Sequence, residues 1–310
     1  MVEAAAMSIR CLSLLVPLFA AVVPALAAEK TGAPVAAKAP FRVDHVAPLA
    51  PEEKPMEGGE KFTKLLVHFN GIDGDRVPGH LYLPKNFSGR RPAVLVQHGI
   101  GDKKRAAYIV ATCERLATLG VIALGIDAPN RGDRQDKTKP GISFLDPASV
   151  QKWFQQHCGD YSRAFDYLAT RADVDGTRLG YVGFSWGAIT GVTYAANDER
   201  VRVMTSIGGG SLAGYLALPA KAGEKAPASL DPADHIARFA PRPLLLINST
   251  KDQLVLPVVA RLLHAAAGPG SEIKWYETDH FFNGIDRDAV LQSVAEYMKT
   301  KLEAEPLKVK

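Results

Sequence analysis

The chain has 310 residues, of which 47% are hydrophobic and 23% are charged, and this composition excludes collagen, coiled coils and wholesale disorder. The formal net charge is +4, but no long basic run concentrates it on one face, so a nucleic-acid partner is not expected. Three cysteines are too few for a disulfide scaffold, and no Cys and His spacing is typical of a zinc site. The length suits one large α/β domain or two small ones.

The N-terminus has the pattern of an export signal. Arg10 precedes an apolar run over residues 12–23, and the small residues within 25–27 fit a cleavage site. A membrane anchor is the alternative, but the run contains Pro17 and is short for a hydrocarbon core of ~30 Å. We therefore expect a signal peptide over residues 1–27, its cleavage, and export to the periplasm or the medium without a stable membrane anchor.

Residues 28–60 contain five prolines, which block helices and remove donors from a strand ladder. This composition predicts an extended leader rich in Pro and Ala. Residues 61–310 then form the folded part, which we interpret as one domain. Cys113 and Cys158 lie in it, and either a disulfide between them or two buried thiols would suit an exported protein; we favour the thiols.

From residue 61 the chain alternates between strand and helix patterns. Strands are predicted at residues 62–69, 77–83, 93–97, 121–126, 178–183, 201–207, 243–248 and 272–276, and helices within 106–119, 150–171, 186–196, 257–267 and 287–301. This alternation predicts an α/β fold whose sheet is mainly parallel, is covered by helices on both faces and begins with an antiparallel pair of strands. Chemistry on such a sheet belongs in the loops after the carboxyl ends of the strands.

One of these loops carries the sequence Gly183-Phe184-Ser185-Trp186-Gly187, between a predicted strand and a predicted helix. A G-x-S-x-G string in this setting indicates a nucleophile elbow, in which a sharp turn strains the serine backbone and exposes its Oγ above the sheet. The two glycines are required because side chains there would collide with the neighbouring strand and helix. A tight turn without chemistry is the alternative.

With this elbow, four further segments resemble the α/β-hydrolase superfamily, and within it the serine esterases similar to dienelactone hydrolases and acetyl xylan esterases. These segments are residues 77–84, Gln97-His98-Gly99, the surroundings of Asp252, and Asp279-His280-Phe281. The resemblance covers roughly residues 62–302 and implies the α/β-hydrolase fold. Dienelactone hydrolases proper have a cysteine nucleophile where this chain has Ser185, which favours ordinary carboxylic esters as substrates.

The superfamily order of serine, acid and histidine implies the partners of the nucleophile. His280 follows the last predicted strand and is the predicted base, whereas His264 lies within a predicted helix. Asp252 follows the strand at 243–248 and is the predicted acid. Asp231 precedes a proline and is typical of a helix N-cap, and Asp279 would point away from its neighbour His280 in an extended chain.

The oxyanion of an ester intermediate needs two backbone donors. The N–H of Trp186, directly after the nucleophile, is one, and the resemblance implies that the N–H of Ile100 is the other. Losing one such donor typically costs ~3 kcal/mol of transition-state stabilisation. We expect His98 to hold this loop by a hydrogen bond rather than to act in the chemistry.

Substrate contacts are predicted less directly. Arg131 or Arg134 would suit a substrate carboxylate, but an internal ion-paired turn with Asp133 is the interpretation that we favour. Aromatic residues near the elbow and the last loop would line the pocket or belong to the core: Trp186, Phe281 and Phe282. Residues 208–240 would form a small cap that includes Leu212, Tyr215 and Leu216.

These features together predict an exported serine carboxylesterase that hydrolyses short, acetyl-type esters of a small molecule or a saccharide through an acyl-enzyme. A peptidase of the prolyl oligopeptidase type shares this serine, acid and histidine order, and a non-catalytic hydrolase-like binding protein is a further alternative. No G-x-G-x-x-G opens a helix after a strand, so no dinucleotide is expected, nor any metal or organic cofactor. The oligomeric state is left open.

Overall fold

The computed structural model describes residues 39–139, 141–143, 146–213 and 229–304. The expected signal peptide and residues 28–38 of the expected leader lie outside the described residues, as do Tyr215 and Leu216 of the expected cap. Among the described residues, no helix combines the length and the apolar character that a membrane span needs.

Within the described residues, nine strands form one sheet in the order β1-β2-β3-β5-β4-β6-β7-β8-β9. The strands are β1 (Glu52–Met56), β2 (Phe62–Asn70), β3 (Arg76–Pro84), β4 (Arg91–Gln97), β5 (Ile122–Ile126), β6 (Val174–Phe184), β7 (Val201–Ile207), β8 (Leu244–Ser249) and β9 (Ser271–Tyr276). The pairs from β1 to β3 and the pair of β3 with β5 are antiparallel, and all the others are parallel. The predicted mainly parallel sheet with an antiparallel start is confirmed.

In the part of the chain that the structure describes, five α-helices cover the sheet: α1 (Ala107–Thr118), α2 (Pro147–Thr170), α3 (Trp186–Ala195), α4 (Pro257–Ala266) and α5 (Arg287–Glu303). Their boundaries follow from ordinary helix signals. The carboxylates of Asp146 and Asp286 accept the N–H groups of Ala148 and Ala289 at the starts of α2 and α5. Gly120, whose φ is +89°, follows the end of α1.

The helices form two layers because alternate strand side chains point to opposite faces of the sheet. In β4, Val94 and Val96 belong to the hydrophobic cluster that includes residues of α1 and α5, whereas Ala93 and Leu95 belong to the cluster that includes residues of α2, α3 and α4. A strand covered on both faces is apolar at successive positions, which explains the continuous apolar run at residues 93–97.

The expected leader at residues 28–60 does not lie wholly before the fold, because Glu52–Met56 joins the sheet as β1. The prolines in this segment suggested that it could not join a ladder. An edge strand tolerates proline, because every second N–H of such a strand points away from its single neighbour. The extended conformation was therefore predicted, but its pairing was not.

The residues before β1 also make tertiary contacts, with helices α2 and α3. Arg163 of α2, only 1% exposed, donates to three carbonyl oxygens of this segment, those of Asp44, His45 and Ala47. The ring of Phe41 lies 5.8 Å from that of Tyr194 in α3. Residues 41–47 therefore pack on the α2 side of the sheet.

Both cysteines of the folded part are free and buried. Cys113 lies on α1 and Cys158 on α2, and these helices cover opposite faces of the sheet. Burial raises the pKa of each thiol. The sheet separates the two sulfur atoms, which leaves the two buried thiols and not the disulfide.

Candidate active site

The G-x-S-x-G segment forms a sharp turn between β6 and α3. Ser185 has φ 52° and ψ −116°, a combination that residues other than glycine rarely adopt. A Cβ on Gly183 would lie 2.3 Å from the carbonyl oxygen of Gly187, and one on Gly187 would lie 2.6 Å from that of His98. Both glycines are therefore required by close backbone contact, as the sequence predicted.

Three predicted site residues come together above the ends of β6, β8 and β9. His280 Nε2 lies 2.9 Å from Ser185 Oγ, and His280 Nδ1 lies 2.6 Å from Asp252 Oδ2. The side chains of His280 and Asp252 are 9% and 1% exposed. The three side chains form one continuous chain of hydrogen bonds that is largely shielded from water.

The surroundings of Asp252 determine the tautomer of His280. Asp252 Oδ1 accepts the N–H groups of Leu254 and Val255, which orients the carboxylate and directs Oδ2 at the imidazole. A carboxylate accepts hydrogen bonds, so Nδ1 carries the proton and the other ring nitrogen, Nε2, is the acceptor that faces Ser185. This arrangement suits a base that removes the proton of Ser185.

The loops that carry the acid and the base are also joined through their backbones. The N–H of Thr250 donates to the carbonyl of Tyr276, and the N–H of Lys251 donates to that of Thr278. These bonds continue the pairing of β8 with β9 beyond the strand ends. The separation of Asp252 and His280 is thereby determined by the sheet rather than by two independent loops.

The other acids and the second histidine have different surroundings. His264 Nε2 faces Asn248 Oδ1 at 2.8 Å, its ring lies against Trp275, and burial lowers its pKa to about 4. Asp231 accepts the N–H of Ala233 at the start of a short 3-10 helix, as an N-cap does. The carboxylate of Asp279 accepts bonds from its own loop, chiefly from Asn283, which lowers its pKa.

The loop after β4 lies directly against the elbow. A Cβ on Gly99 would be 3.1 Å from Ser185 Cβ, so the backbone passes the nucleophile at van der Waals distance. Within the described residues, the N–H of the next residue, Ile100, donates to no acceptor. Trp186 begins α3, where N–H groups point outward from the first turn. The two predicted oxyanion donors therefore belong to backbone segments that adjoin Ser185.

Arg131 and Arg134, both in the loop after β5, differ in burial and in ion pairing. Arg134 is buried and forms ion pairs with Asp75 and Asp160 at 2.5 and 2.6 Å. Asp133 pairs with Lys104 and Arg105, so the expected ion pair of Asp133 with one of these arginines is not formed. The prediction of an internal ion-paired turn is therefore wrong, because Asp133 and Arg134 pair with residues of other segments of the chain, which the local sequence does not reveal.

Arg131 is half-buried, with its guanidinium 5.4 Å from the ring of Trp153. Burial lowers its pKa, and no carboxylate in the described part of the chain pairs with it.

A sequence profile of the dienelactone hydrolase family matches residues 77–303, a range that includes Ser185, Asp252 and His280. The chain belongs to the dienelactone hydrolase family. This membership confirms the resemblance found in the sequence and supports a hydrolase of ester bonds. Among curated relatives of this family member, the putative hydrolase YtaP of Bacillus subtilis is 29% identical over 154 residues, 46% of this chain and 51% of the relative. The chain spans about half the length of the curated relatives that it matches.

Two solved structures similar to this dienelactone hydrolase family member are acetyl xylan esterases. That of Thermoanaerobacterium sp. is 18% identical, with 83% of this chain and 89% of that chain covered and a TM-score of 0.65. That of Paenibacillus sp. R4 is also 18% identical, with 82% and 89% covered and a TM-score of 0.66. Likeness at this identity shows the fold alone, and the predicted α/β-hydrolase fold is confirmed.

The three aromatic candidates of this family member lie in two different environments. Trp186 is 6% exposed and its indole packs edge-on against Phe154, and Phe282 is 8% exposed and packs against Tyr276. Phe281 is 61% exposed and its ring meets that of His280 edge-on at 5.4 Å. Phe281 is therefore the aromatic side chain at the mouth of the site, and the other two belong to the core. Leu212 of the expected cap is buried as well.

Two features in and around the site of this family member were not predicted from the sequence. Gly208, with φ +64°, follows β7, and a Cβ on it would lie 3.3 Å from His280 Cε1. Lys104 is completely buried between Asp127 and Asp133, each 2.5 Å from its Nζ. The run Gly208-Gly209-Gly210 could have indicated the close contact of Gly208 with His280, since consecutive glycines at a strand end indicate close backbone approach. No local sequence pattern indicates that Lys104 is buried between two carboxylates.

Proposed function

We propose that this protein is an exported serine carboxylesterase that hydrolyses short, acetyl-type esters through an acyl-enzyme. The observation that carries the proposal is the hydrogen-bond chain from Ser185 Oγ through His280 to Asp252 Oδ2, with distances of 2.9 and 2.6 Å. A serine joined in this way to a shielded histidine and a backbone-held carboxylate is equipped for nucleophilic attack on an acyl group.

In the first half of the proposed reaction, Ser185 Oγ attacks the ester carbonyl carbon while His280 Nε2 accepts the hydroxyl proton. The carbonyl oxygen becomes an oxyanion, which the N–H groups of Ile100 and Trp186 stabilise. The C–O bond to the alcohol then breaks, and His280 returns the proton to the departing alkoxide. Asp252 stabilises the imidazolium that exists between these two proton transfers.

In the second half, water replaces the alcohol. His280 Nε2 accepts a proton from the water as its oxygen attacks the acyl carbon of the ester on Ser185. The second oxyanion accepts hydrogen bonds from the same two N–H groups. When this intermediate collapses, the bond between the acyl carbon and Ser185 Oγ breaks, and Oγ takes back its proton from His280. The products are a carboxylic acid and the free enzyme.

Two exposed or half-buried side chains are proposed as substrate contacts. Phe281 presents an exposed ring next to His280, which suits a sugar face or an aromatic alcohol of an ester. Arg131 has a guanidinium without a carboxylate partner among the described residues and suits an anionic or carbonyl group of the substrate. The proposed substrates are thus esters of a small molecule or a saccharide.

The preference for short acyl groups rests on the packing around the elbow. The indole of Trp186 lies against Phe154 and His157, so core side chains occupy the space behind this residue. The connections from β4 to β5, from β6 to β7 and from β8 to β9 each have the length of one helix with its loops, which is short for a mobile apolar lid. A long acyl tail would gain ~0.8 kcal/mol for each CH₂ only where such a surface buries it.

The test is hydrolysis of p-nitrophenyl esters from acetyl to decanoyl, beside an acetylated xylo-oligosaccharide and a peptide p-nitroanilide. We expect kcat/KM to be highest for acetyl, to fall with chain length and to be at least 100-fold lower for the anilide. A steady rise toward decanoyl would contradict the acetyl preference, and a faster anilide would identify a peptidase. Absence of turnover together with no fluorophosphonate labelling of Ser185 would contradict an enzyme altogether.

Export is tested separately by N-terminal sequencing of the protein from the native host. The small residues Ala25 and Ala27 and the apolar run before them predict a mature N-terminus at Ala28. A variant with leucine at both small positions should remain uncleaved, and a control with leucine at Ala36 should be cleaved normally. An intact N-terminus in the membrane fraction would contradict cleavage.

A further inference from the structure

The two polar backbone groups of Gly99 are held by three neighbouring residues: His98 and Asp102 engage its carbonyl, and Tyr108 engages its N–H. The carbonyl oxygen of Gly99 lies 2.7 Å from His98 Nδ1 and 3.3 Å from the N–H nitrogen of Asp102. On the other side of the same residue, the N–H of Gly99 donates to the hydroxyl of Tyr108 at 3.0 Å, and that hydroxyl donates to Asp102 Oδ2 at 2.9 Å. Both polar groups of Gly99 are therefore already engaged next to Ser185.

The imidazole of His98 has a defined tautomer. Its Nε2 lies 3.1 Å from the N–H of Ala128, which donates to it, so Nε2 is the acceptor and Nδ1 carries the hydrogen that Gly99 accepts. The side chain is 2% exposed, and burial lowers its pKa, so the neutral ring is retained. The ring thus joins the loop after β4 to the loop after β5.

This arrangement determines where the N–H of Ile100 points. In a trans peptide the C=O and the following N–H point in opposite directions, so a carbonyl turned toward His98 and Asp102 turns the N–H of Ile100 away from them. The Gly99 backbone passes Ser185 at van der Waals distance, and in the described part of the chain nothing accepts the N–H of Ile100. That donor is therefore available beside the nucleophile.

We infer that His98, as its neutral Nδ1–H tautomer, is a positioning residue of the oxyanion site and sets the orientation of the Gly99–Ile100 peptide. The inference rests on the proposed function, because it concerns the oxyanion of that reaction. Without the imidazole donor, the Gly99 carbonyl keeps only the longer bond from Asp102, and the peptide can rotate. Rotation would bring a carbonyl oxygen instead of an N–H toward the oxyanion, which it would repel.

The test compares His98→Ala with His98→Asn, whose side-chain NH₂ sits near the place of Nδ1 and can donate to the Gly99 carbonyl. His264→Ala is the matched control, since it removes another buried imidazole outside the site. The readouts are kcat and KM for p-nitrophenyl acetate and the rate constant for phosphonylation of Ser185 by a fluorophosphonate, whose oxygen requires the same donors.

We expect His98→Ala to lower kcat and the phosphonylation rate about 10- to 100-fold while KM changes less than about twofold, because the oxyanion develops after binding. His98→Asn should recover most of the loss, and His264→Ala should keep both rates near those of the wild type. Tyr108→Phe removes the acceptor of the Gly99 N–H and should lower kcat and the phosphonylation rate by a smaller factor. This variant replaces His98→Ala in the test if His98→Ala does not fold.

Three outcomes would overturn the inference: losses no larger than those of His264→Ala, losses that fall on KM, or a folded His98→Asn as slow as His98→Ala. The proposed function fails in a different way, through a wild-type protein that hydrolyses no ester. If that protein is still phosphonylated at Ser185, the labelling rates of the variants decide the inference by themselves. If the wild-type protein neither hydrolyses esters nor is phosphonylated at Ser185, the proposed function and the inference are both wrong.

Discussion

Ser185 has a backbone conformation that is costly for an L-residue, of the order of 1–3 kcal/mol. The surrounding structure maintains it through the Ser185 N–H, which donates to the carbonyl of Ile207 at 2.7 Å, and through the close contacts of Gly183 and Gly187. The strain is therefore balanced by packing that does not involve the hydroxyl. Removal of the Oγ should consequently affect chemistry and not folding.

Ser185→Ala and His280→Ala should each lower kcat by about 10⁵- to 10⁶-fold, and Asp252→Asn by about 10⁴-fold, because triad members act as a unit. His264→Ala should stay within about threefold of the wild type, since its ring bonds to Asn248 outside the reacting atoms. Steady-state kinetics with p-nitrophenyl acetate and thermal melting of each variant measure the two effects. A larger loss from His264→Ala than from His280→Ala would show that the base is assigned wrongly.

At the level of elements, the site depends on how the loops after β4 and β5 are joined. Lys104, in the loop after β4, is fully buried against Asp127 and Asp133, which follow β5. The N–H groups of Lys104 and Asp133 donate to the same Asp127 carboxylate. A buried carboxylate with this number of donors is stable only while its cation remains, because desolvation opposes an unpaired charge.

Lys104→Met is therefore predicted to lower the free energy of unfolding by about 3–5 kcal/mol. The control is Lys251→Met, whose pair with Glu277 is exposed at 63% and 80% and should contribute less than about 1 kcal/mol. Urea denaturation of both variants at one pH measures the difference. Equal losses would mean that burial of the Lys104 pair has no energetic consequence.

The contact of α3 with β6 allows a second test at this scale. A Cβ on Gly191 of α3 would lie 2.2 Å from Tyr181 Cε1, and Tyr181 is fully buried with its hydroxyl donating to the Gly187 carbonyl. Gly191→Ala gains about 1 kcal/mol of helix propensity but should still destabilise the protein by more than about 1 kcal/mol, because overpacking costs more. Gly176→Ala, whose nearest contact is 3.9 Å, should change stability by less than about 0.5 kcal/mol.

At the scale of the whole molecule, buried neutral histidines predict a protein that acid destabilises. Burial lowers the pKa of His157 to about 3 and those of His80 and His264 to about 4. The unfolded chain, with pKa values near 6.5, binds more protons than the folded chain between pH 6.5 and 4. The stability from these residues is therefore complete above about pH 6.5 and is lost as the pH falls toward 4.

Urea denaturation at pH 7, 6 and 5 should show a falling free energy of unfolding. His264→Gln supplies the control, because an amide at the same reach keeps a donor to Asn248 Oδ1 but does not titrate. Its stability should fall less steeply between pH 6.5 and 5 than that of the wild type. Identical slopes would show that His264 does not contribute to the pH dependence.

The amino-acid sequence by itself determined the secondary structure, the fold class and the family. Each predicted strand and helix from residue 62 onward has a counterpart within a few residues, because apolar periodicity and helix caps are local properties. The elbow motif was also readable from the sequence, although only the close contact of Gly183 lies within the turn, and that of Gly187 is with the backbone of Gln97 and His98 at the end of β4. Ser185 was predicted from the elbow motif, and Asp252 and His280 from the superfamily order that the resemblance implies together with their positions after strands. Parallel strands bring such positions to one edge of the sheet.

The tertiary structure decided the partners of buried charges and the boundary of the folded part. Asp133 pairs with Lys104 rather than with its neighbouring arginines, and β1 joins the sheet through pairing with β2. The tautomer of His98 and the available N–H of Ile100 depend on Ala128, which lies in another loop. Such contacts join residues that are far apart in the chain. The local sequence pattern does not predict them, because their energy depends on distances between atoms that are set only after the sheet has formed.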